Sequence, residues 1–115
     1  MEWLNDECKK EFEENAKLNY KYTKEGNISK ANIYAKKMFL LREKLEKSMN
    51  YSEFLDNMFL SEESTAAIWA CGMGIDLDYK RELAIKILHK LAESEDKIIS
   101  RNAWMALQVR QCNME

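Results

Sequence analysis

Hydrophobic residues recur every three or four positions along most of the chain, which is the spacing of one face of an α-helix. The first such segment predicts a helix over 2–23. Its apolar positions are Leu4, Cys8, Phe12, Ala16 and Tyr20. Gly26 then stands where a helix needs a left-handed terminator, and Asn27 can cap a second helix that runs to about Lys47. The short connection predicts that these two helices fold back as an antiparallel pair.

The second helix combines an apolar stripe with a basic surface. The stripe comprises Ile28, Ala31, Ala35, Met38, Phe39, Leu41 and Leu45. Asn32 interrupts this stripe, and we expect its amide to bond the backbone of a neighbouring loop, because a buried amide must be paired. Lys36, Lys37 and Lys44 lie mostly away from the stripe.

The middle of the chain predicts a short helix followed by another. Asn50 and Glu53 have the spacing of a capping box, which would open a third helix. The inner face of that helix comprises Phe54, Leu55, Met58 and Phe59. Ser61 would cap the fourth helix, and Gly72 with Gly74 would end it.

The fourth helix is apolar on nearly every side, so we expect it to be central and buried. Its segment 64–71 has a fainter copy at 100–107, at an offset of 36 residues. That period lies within the range of helical-hairpin repeats. The repeat predicts two stacked hairpins, over 50–75 and 76–112, behind an N-terminal helix pair at 1–49.

The second hairpin would hold the fifth and sixth helices. Asp76 or Asp78 would cap the fifth helix. Its apolar stripe is Leu83, Ala84, Ile87, Leu88, Leu91 and Ala92. Ser94, together with Glu95 and Asp96, would open the sixth helix. Its apolar residues are Ile99, Ala103, Ala106 and Leu107. The whole pattern therefore predicts an all-α chain of about six helices.

The composition supports this interpretation. The 115 residues include three glycines and no proline, so helix breakers are scarce. At 46% hydrophobic and 33% charged, the chain can build a globular core as one domain over 1–115. The N-terminus lacks the apolar run of a signal peptide, and no segment has the length of a membrane span. The cysteines Cys8, Cys71 and Cys112 have no motif spacing, so we expect a reduced, cytoplasmic protein.

Charge is nearly balanced overall, at −2, but it is distributed unevenly. The stretch 51–78 is acidic and carries no basic residue. Its candidate partner-binding residues are Glu53, Asp56, Glu62, Glu63, Asp76 and Asp78. The preceding stretch 27–50 is basic. Its candidate nucleic-acid contacts are Lys36, Lys37, Arg42 and Lys44. The alternative interpretation is that both sets form solvated helix faces that are salt-bridged to each other.

Catalytic and cofactor chemistry finds little support in the sequence. His89 shares a helix face with Glu93, but two ligands cannot complete a metal site, and we interpret His89 as a surface or boundary residue. Cys71 stands among apolar residues, where a thiol has a raised pKa and is inert. The stretch 72–74 lacks the spacing of a phosphate loop, and 76–78 lacks the later residues of a calcium loop. We therefore expect no cofactor, no metal and no enzyme activity.

The order of an outer helix, a short polar turn and an inner helix with Ala66-Ala67-Ile68-Trp69-Ala70 resembles the HEAT-type α-α superhelix. Nearly end to end, the chain is similar to small, mostly bacterial HEAT-like domains of unknown function. Lys30-Ala31-Asn32 matches an element of their first helix pair, and Ala103 with Leu107 matches their last inner helix. The resemblance implies an N-terminal helix pair followed by two HEAT-like hairpins. Ser64-Thr65 departs from the Val-Arg pair that often begins such inner helices.

Helical repeats commonly present a concave surface to another protein, so we expect a non-catalytic protein–protein interaction module. An acidic stretch would steer a basic partner toward it. One specific form of this expectation is a small cytoplasmic inhibitor, of the toxin-immunity kind, that covers a basic effector. The alternative is a nucleic-acid-binding helical repeat that uses the basic second helix.

Overall fold

In the computed structural model, the described residues are 6–48 and 50–110, and this part of the chain forms six α-helices and no strand. The helices are α1 (Asp6–Lys24), α2 (Ile28–Glu46), α3 (Tyr51–Phe59), α4 (Ser64–Asp76), α5 (Arg81–Leu91) and α6 (Lys97–Gln108). The all-α fold expected from the sequence is confirmed. The predicted start of the first helix, the end of the second hairpin and Cys112 lie outside the described residues.

The first two helices form the predicted antiparallel pair. Gly26 has a φ of +77° and ends the α1 turn, and the Asn27 side chain accepts a hydrogen bond from the Lys30 N–H at 3.2 Å. The Asn19 amide donates to the Ala31 carbonyl oxygen at 2.8 Å and fixes the register of α1 against α2. Gly26 and Asn27 thus act as their residue types predict.

Helix α4 is the centre of the molecule, as its all-round apolar pattern predicts. It packs against α1, α3, α5 and α6, and nearly all of its residues are buried. Ala67 in α4 and Ala103 in α6 are both buried, as the repeat alignment requires. Helix α5 packs against both α4 and α6, and Arg110, just after α6, bonds Asp76 at the end of α4, so the C-terminal ends of α4 and α6 lie together. The two stacked hairpins and the HEAT-like superhelix stay predictions.

The two glycines of α4 correct the sequence interpretation. Gly72 and Gly74 do not end the helix, which continues through both to Asp76. A Cβ on Gly74 would lie 2.9 Å from the Phe59 ring, and a Cβ on Gly72 would lie 2.9 Å from the Arg110 guanidinium. The missing side chains therefore permit close packing within a helix.

Two predicted caps are also wrong. Asn50 makes no side-chain capping bond at the start of α3. Ser61 does not cap α4, which begins at Ser64. The Ser61 hydroxyl instead donates to a Glu13 carboxylate oxygen at 2.7 Å and accepts from the Glu63 N–H at 3.0 Å. It thereby ties the turn before α4 to α1.

The predicted cap of α5 is wrong, whereas the predicted start of α6 is right. Asp76 belongs to α4 and Asp78 lies in the following turn, so neither caps α5; Lys80, at a φ of +48°, precedes that helix. The predicted opening of α6 holds, with Asp96 as the cap. Its carboxylate accepts from the backbone N–H groups of Ile98 at 2.9 Å and Ile99 at 3.2 Å.

Not every residue of the predicted apolar stripes is buried. Met38, Leu41 and Leu45 of α2 reach the core, whereas Ile28 and Phe39 are exposed. Leu83 of α5 is exposed as well. Asn32 is exposed and therefore needs no loop partner, which corrects the prediction that it is buried. Phe39 lies to one side of the buried residues of α2 and lines the groove described next.

Candidate binding groove

An open groove with a volume of about 370 Å³ runs along α4. Its floor is one face of that helix, formed by Thr65, Ile68, Trp69 and Gly72. Its first wall comes from α1 and α2 and contains Asn19, Tyr20, Phe39 and Arg42. Its second wall is α6 with its C-terminal end, from Asn102 to Arg110. We call this feature the α4 groove.

The α4 groove exposes large apolar side chains. Phe39 packs edge-on against Trp69, with ring centroids 5.2 Å apart and planes at 76°. Despite this contact, Phe39 remains 54% exposed, and across the groove Met105 and Val109 are 50% and 70% exposed. Clustered exposed apolar side chains on a soluble domain are typical of an interaction surface.

Two arginines at one end of the groove hold the same carboxylate. Arg42 Nη2 donates to Asp76 Oδ2 at 2.6 Å, while Arg110 Nε and Nη2 donate to the two Asp76 oxygens at 2.9 and 3.0 Å. Arg42 Nε also donates to Glu46 at 2.7 Å. This arginine clasp (Arg42, Asp76 and Arg110) joins α2, α4 and the end of α6.

The clasp shifts the pKa of Asp76 and the pKa of Arg42. Burial by itself would raise the pKa of Asp76, but the hydrogen bonds and charges of Arg110 and Arg42 outweigh it and hold that pKa below its ordinary value of 3.8. Burial likewise opposes charging of Arg42, yet its hydrogen bonds to Glu46 and Asp76 raise its pKa. Asp76 and Arg42 are therefore charged at neutral pH.

The other end of the groove carries a second polar link. The Tyr20 hydroxyl donates to the Asp96 carboxylate, which joins α1 to the start of α6. This bond raises the pKa of Tyr20 and, with the bond from the Ile99 N–H, lowers the pKa of Asp96. Since α6 has 12 residues, the two ends lie about 18 Å apart.

The six acidic candidates do not form one surface. Glu62 and Glu63 precede α4, whereas Asp76 and Asp78 lie at its other end. Two of the six are already paired within the protein. Asp76 lies in the arginine clasp, and Asp56 accepts from Lys80 Nζ at 3.0 Å and from the Tyr79 hydroxyl at 2.8 Å.

The remaining four acidic candidates differ in their exposure to solvent. Glu53, Glu62 and Asp78 are exposed, and Glu63 is half-buried. The hydrogen bonds from Lys80 and Tyr79 hold the pKa of Asp56 below its ordinary value. Asp56 and Asp76 therefore fit the alternative interpretation, in which the acidic residues form salt bridges within the fold.

The four basic candidates separate into two groups. Lys36, Lys37 and Lys44 are exposed on the outer face of α2, and Lys37 Nζ lies 5.1 Å from the centroid of the Tyr34 ring. Arg42 lies on the groove side and is engaged by Glu46 and Asp76. The structure thus keeps three lysines together and separates the arginine from them.

The described cysteines and the histidine are at least partly buried. Burial raises the pKa of the Cys8 thiol to about 11 and that of the Cys71 thiol to about 12, so both stay protonated at neutral pH. His89 is half-buried on α5. Within 6–48 and 50–110, no three His, Cys, Asp or Glu side chains are grouped so that they could hold a metal ion. In the same ranges, no helix combines the length and the apolar content that crossing a bilayer requires.

The sequence does not indicate the groove as a site. Its pattern places Phe39 in the buried stripe of α2, and it leaves Met105 and Val109 outside the stripe of α6. The sequence does contain a signal of an exposed apolar surface, because α2 has more apolar positions than one buried face can hold.

Neither protein-family models, curated proteins nor solved structures gave a match to this chain.

Proposed function

We propose that this protein is a non-catalytic protein-binding module and that the α4 groove is its docking face. The observation that carries the proposal is the exposure of Phe39, Met105 and Val109 on facing walls above Trp69. Apolar side chains that remain this exposed in the free chain gain stability when a partner covers them.

The openness of the groove favours a macromolecule over a small molecule. Small-molecule sites commonly enclose about 70–90% of their ligand's surface. Here the wall residues are themselves half-exposed, so a small ligand would stay largely in water. A segment of another protein, anchored by its own surface outside the groove, does not need such enclosure.

The inhibitor hypothesis is a special case of this function. It relies on acidic residues to recognise a basic partner, and two of them, Asp56 and Asp76, are engaged by the protein's own bases. Glu53, Glu62 and Asp78 retain exposed carboxylates and can still steer a basic surface of the partner toward the molecule. Apolar contact in the groove would then supply most of the affinity.

A site-specific crosslink tests the docking face. A photoreactive phenylalanine analogue is placed at Met105 inside the groove or at the exposed Leu60 outside it, and each protein is irradiated in the source cells. We expect a partner adduct from position 105 and not from position 60. The identified partner is then purified and its affinity is measured directly.

Adjacent residues of α2 provide the matched control for that measurement. Phe39 and Leu40 are 54% and 60% exposed, but only Phe39 lines the groove. Phe39→Asp should weaken binding of the purified partner by at least about tenfold, whereas Leu40→Asp should leave it unchanged. Equal effects of the two substitutions would overturn the groove as docking face.

Nucleic-acid binding is the second candidate, favoured by three exposed lysines on one face of α2. Phosphate contacts made by Lys36, Lys37 and Lys44 would give an affinity that falls steeply with salt. A triple substitution of these residues to Glu should abolish gel shifts of duplex DNA or RNA. The charge-matched control reverses Lys10, Lys86 and Lys90, which are exposed elsewhere. Absence of a shift with the native protein at low salt would remove this candidate.

A further inference from the structure

The charges along the α4 groove indicate which kind of protein segment it binds. Resting on the function proposed above, we propose that the groove binds an amphipathic helix of a partner protein, and that this helix places an acidic side chain against the arginine clasp. The apolar face of the helix would lie on Trp69 between Phe39 and Met105. Three observations support this proposal: the charge of the residues that line the groove, the Arg42 Nη1 donor and the shape of the groove.

The lining of the groove has one sign of charge. Among the described residues that line it, the charged side chains are Arg42 and Arg110, and none is a carboxylate. Asp76 and Glu46 neutralise them from outside the lining. Since the lining itself contributes only guanidinium groups, a carboxylate on an occupant is complementary to it where an ammonium group is not.

Arg42 retains donor capacity for such a carboxylate. Its Nε donates to Glu46 and its Nη2 to Asp76, while Nη1 donates to no group within 6–48 and 50–110. The Arg42 side chain is 21% exposed, and no buried side-chain nitrogen or oxygen among the described residues lacks a hydrogen-bond partner, so Nη1 reaches solvent and is accessible to an occupant. A carboxylate at Nη1 would add a charge-assisted hydrogen bond.

The shape of the groove matches a helix. The floor residues Thr65, Ile68, Trp69 and Gly72 follow the spacing of one helix face over about 10 Å, and two further helices flank them. A partner helix laid in this trough would present residues at i, i+3 or i+4, and i+7 to Phe39, Trp69 and Met105.

Just outside the lining at the far end of the groove, the carboxylates of Asp96 and Glu63 outnumber one nearby ammonium group, Lys24 Nζ. That ammonium group lies 5.9 Å from the centroid of the Tyr20 ring. The net negative charge at this end favours one direction of the occupant. Asp96 lies at the start of α6 and accepts from Tyr20 on the groove wall, and Glu63 precedes the floor residue Thr65. A helix with its acid at the clasp and a basic residue at this end meets complementary charges at both. The reverse orientation would place like charges together.

A peptide-display selection tests the inference even while the natural partner is unidentified. The full chain is immobilised and exposed to a library of randomised helical peptides of about 16 residues, with counter-selection on Phe39→Asp. We expect recovered peptides to carry apolar residues at i, i+3 or i+4, and i+7, and an Asp or Glu within one turn of one end. Replacing that acid by Gln should weaken binding to the native chain by about tenfold.

Protein variants then assign the acid to its contact. Arg42→Gln should weaken the acidic peptide by a similar factor and leave its Gln version unchanged, whereas Leu40→Asp should bind both as the native chain does. The peptide substitution is made against native protein, so the comparison holds even if Arg42→Gln folds poorly.

The outcomes separate the two proposals. If no recovered peptide depends on Phe39, the docking face itself is wrong. If peptides depend on Phe39 but lack an acid, or carry one that is insensitive to Arg42, the docking face stands and the acidic-helix inference fails. A native chain that sediments as a dimer and becomes monomeric with Met105→Asp would identify a second copy as the occupant and overturn the inference.

Discussion

Gly72 and Gly74 stand two residues apart on α4, yet they face different kinds of neighbour. Beside Gly74 are the buried Phe59 ring and, at 3.0 Å from an added Cβ, the Tyr79 carbonyl oxygen. Beside Gly72 is the end of the Arg110 side chain. A ring held in the core and a backbone atom cannot move aside easily, whereas a guanidinium at the surface can.

We therefore expect a larger loss of stability from the alanine substitution at Gly74 than from that at Gly72. Alanine gains about 1 kcal/mol over glycine within a helix. At Gly74 an overpacking cost of about 1–3 kcal/mol should exceed this gain, so Gly74→Ala lowers the free energy of unfolding. Gly72→Ala should cost less, because the Arg110 side chain is flexible and can shift at the expense of its hydrogen bonds to Asp76. Urea denaturation measures both, and equal destabilisation would contradict this assignment of neighbours.

The Asp76 carboxylate gives a second prediction at this scale, through pH. Its pKa is lower in the folded chain than the ordinary value of 3.8, so the folded state binds this proton less readily than the unfolded state. The clasp therefore contributes stability above that ordinary value, and the contribution is lost as pH falls through the folded pKa.

Asp76→Asn preserves the shape of the side chain and removes its charge. At neutral pH we expect it to lower the free energy of unfolding by about 1–3 kcal/mol, because both arginines lose their charged acceptor. The difference from the native chain should shrink at pH values below 3.8. Urea denaturation across the acid range checks this. A difference that stays constant with pH would mean that the clasp does not stabilise through its charge.

At the scale of the elements, the period of the apolar residues predicts all six helices within the described ranges. Their ends are harder to predict, because a cap depends on backbone geometry that neighbours impose. Asn27 and Asp96 cap helices as their residue types suggest, but Asn50 and Ser61, of equally suitable types, do not. The Ser61 hydroxyl bonds Glu13, a residue far away in sequence.

The caps can be ranked by experiment. Asp96→Ala removes two bonds to the first turn of α6 and the bond from Tyr20, so we expect it to lower the free energy of unfolding. Asn50→Ala is the matched control and should change it by less than about 0.5 kcal/mol, because Asn50 makes no side-chain cap. Tyr20→Phe isolates the contribution of the α1 link. A cost at Asn50 equal to that at Asp96 would refute this ranking.

For the molecule as a whole, the candidate site is less predictable than the fold. Periodicity marks Phe39 as apolar, but its exposure depends on where α6 lies across α4. The arginine clasp is equally hidden, since Arg42 and Asp76 are 34 positions apart and belong to stretches of opposite charge with different predicted partners. Local patterns specify helices, whereas the groove arises from the packing of α2 and α6 on a shared central helix.

That central helix also makes the N-terminal pair part of one core. Phe12 of α1 is buried and packs edge-on against Phe54 of α3, with ring centroids 5.1 Å apart, and α1 packs directly on α4. Tyr20 adds a polar link from α1 to the start of α6, and Arg42 adds one from α2 to the end of α4. We expect these contacts to make all six helices of the described ranges unfold together.

This cooperativity is tested with two spectroscopic probes, each applied to the chain with and without Phe12→Ala. In a Trp3→Phe, Trp104→Phe background, fluorescence reports Trp69 on α4, and far-UV circular dichroism reports all helices. Their urea transitions should coincide, and Phe12→Ala should shift both midpoints together, with a loss of about 3–5 kcal/mol in the free energy of unfolding. If Phe12→Ala lowered only the circular-dichroism transition and left that of Trp69 in place, the N-terminal pair would be a separate unit. In that case the first wall of the groove could detach from its floor without unfolding the site.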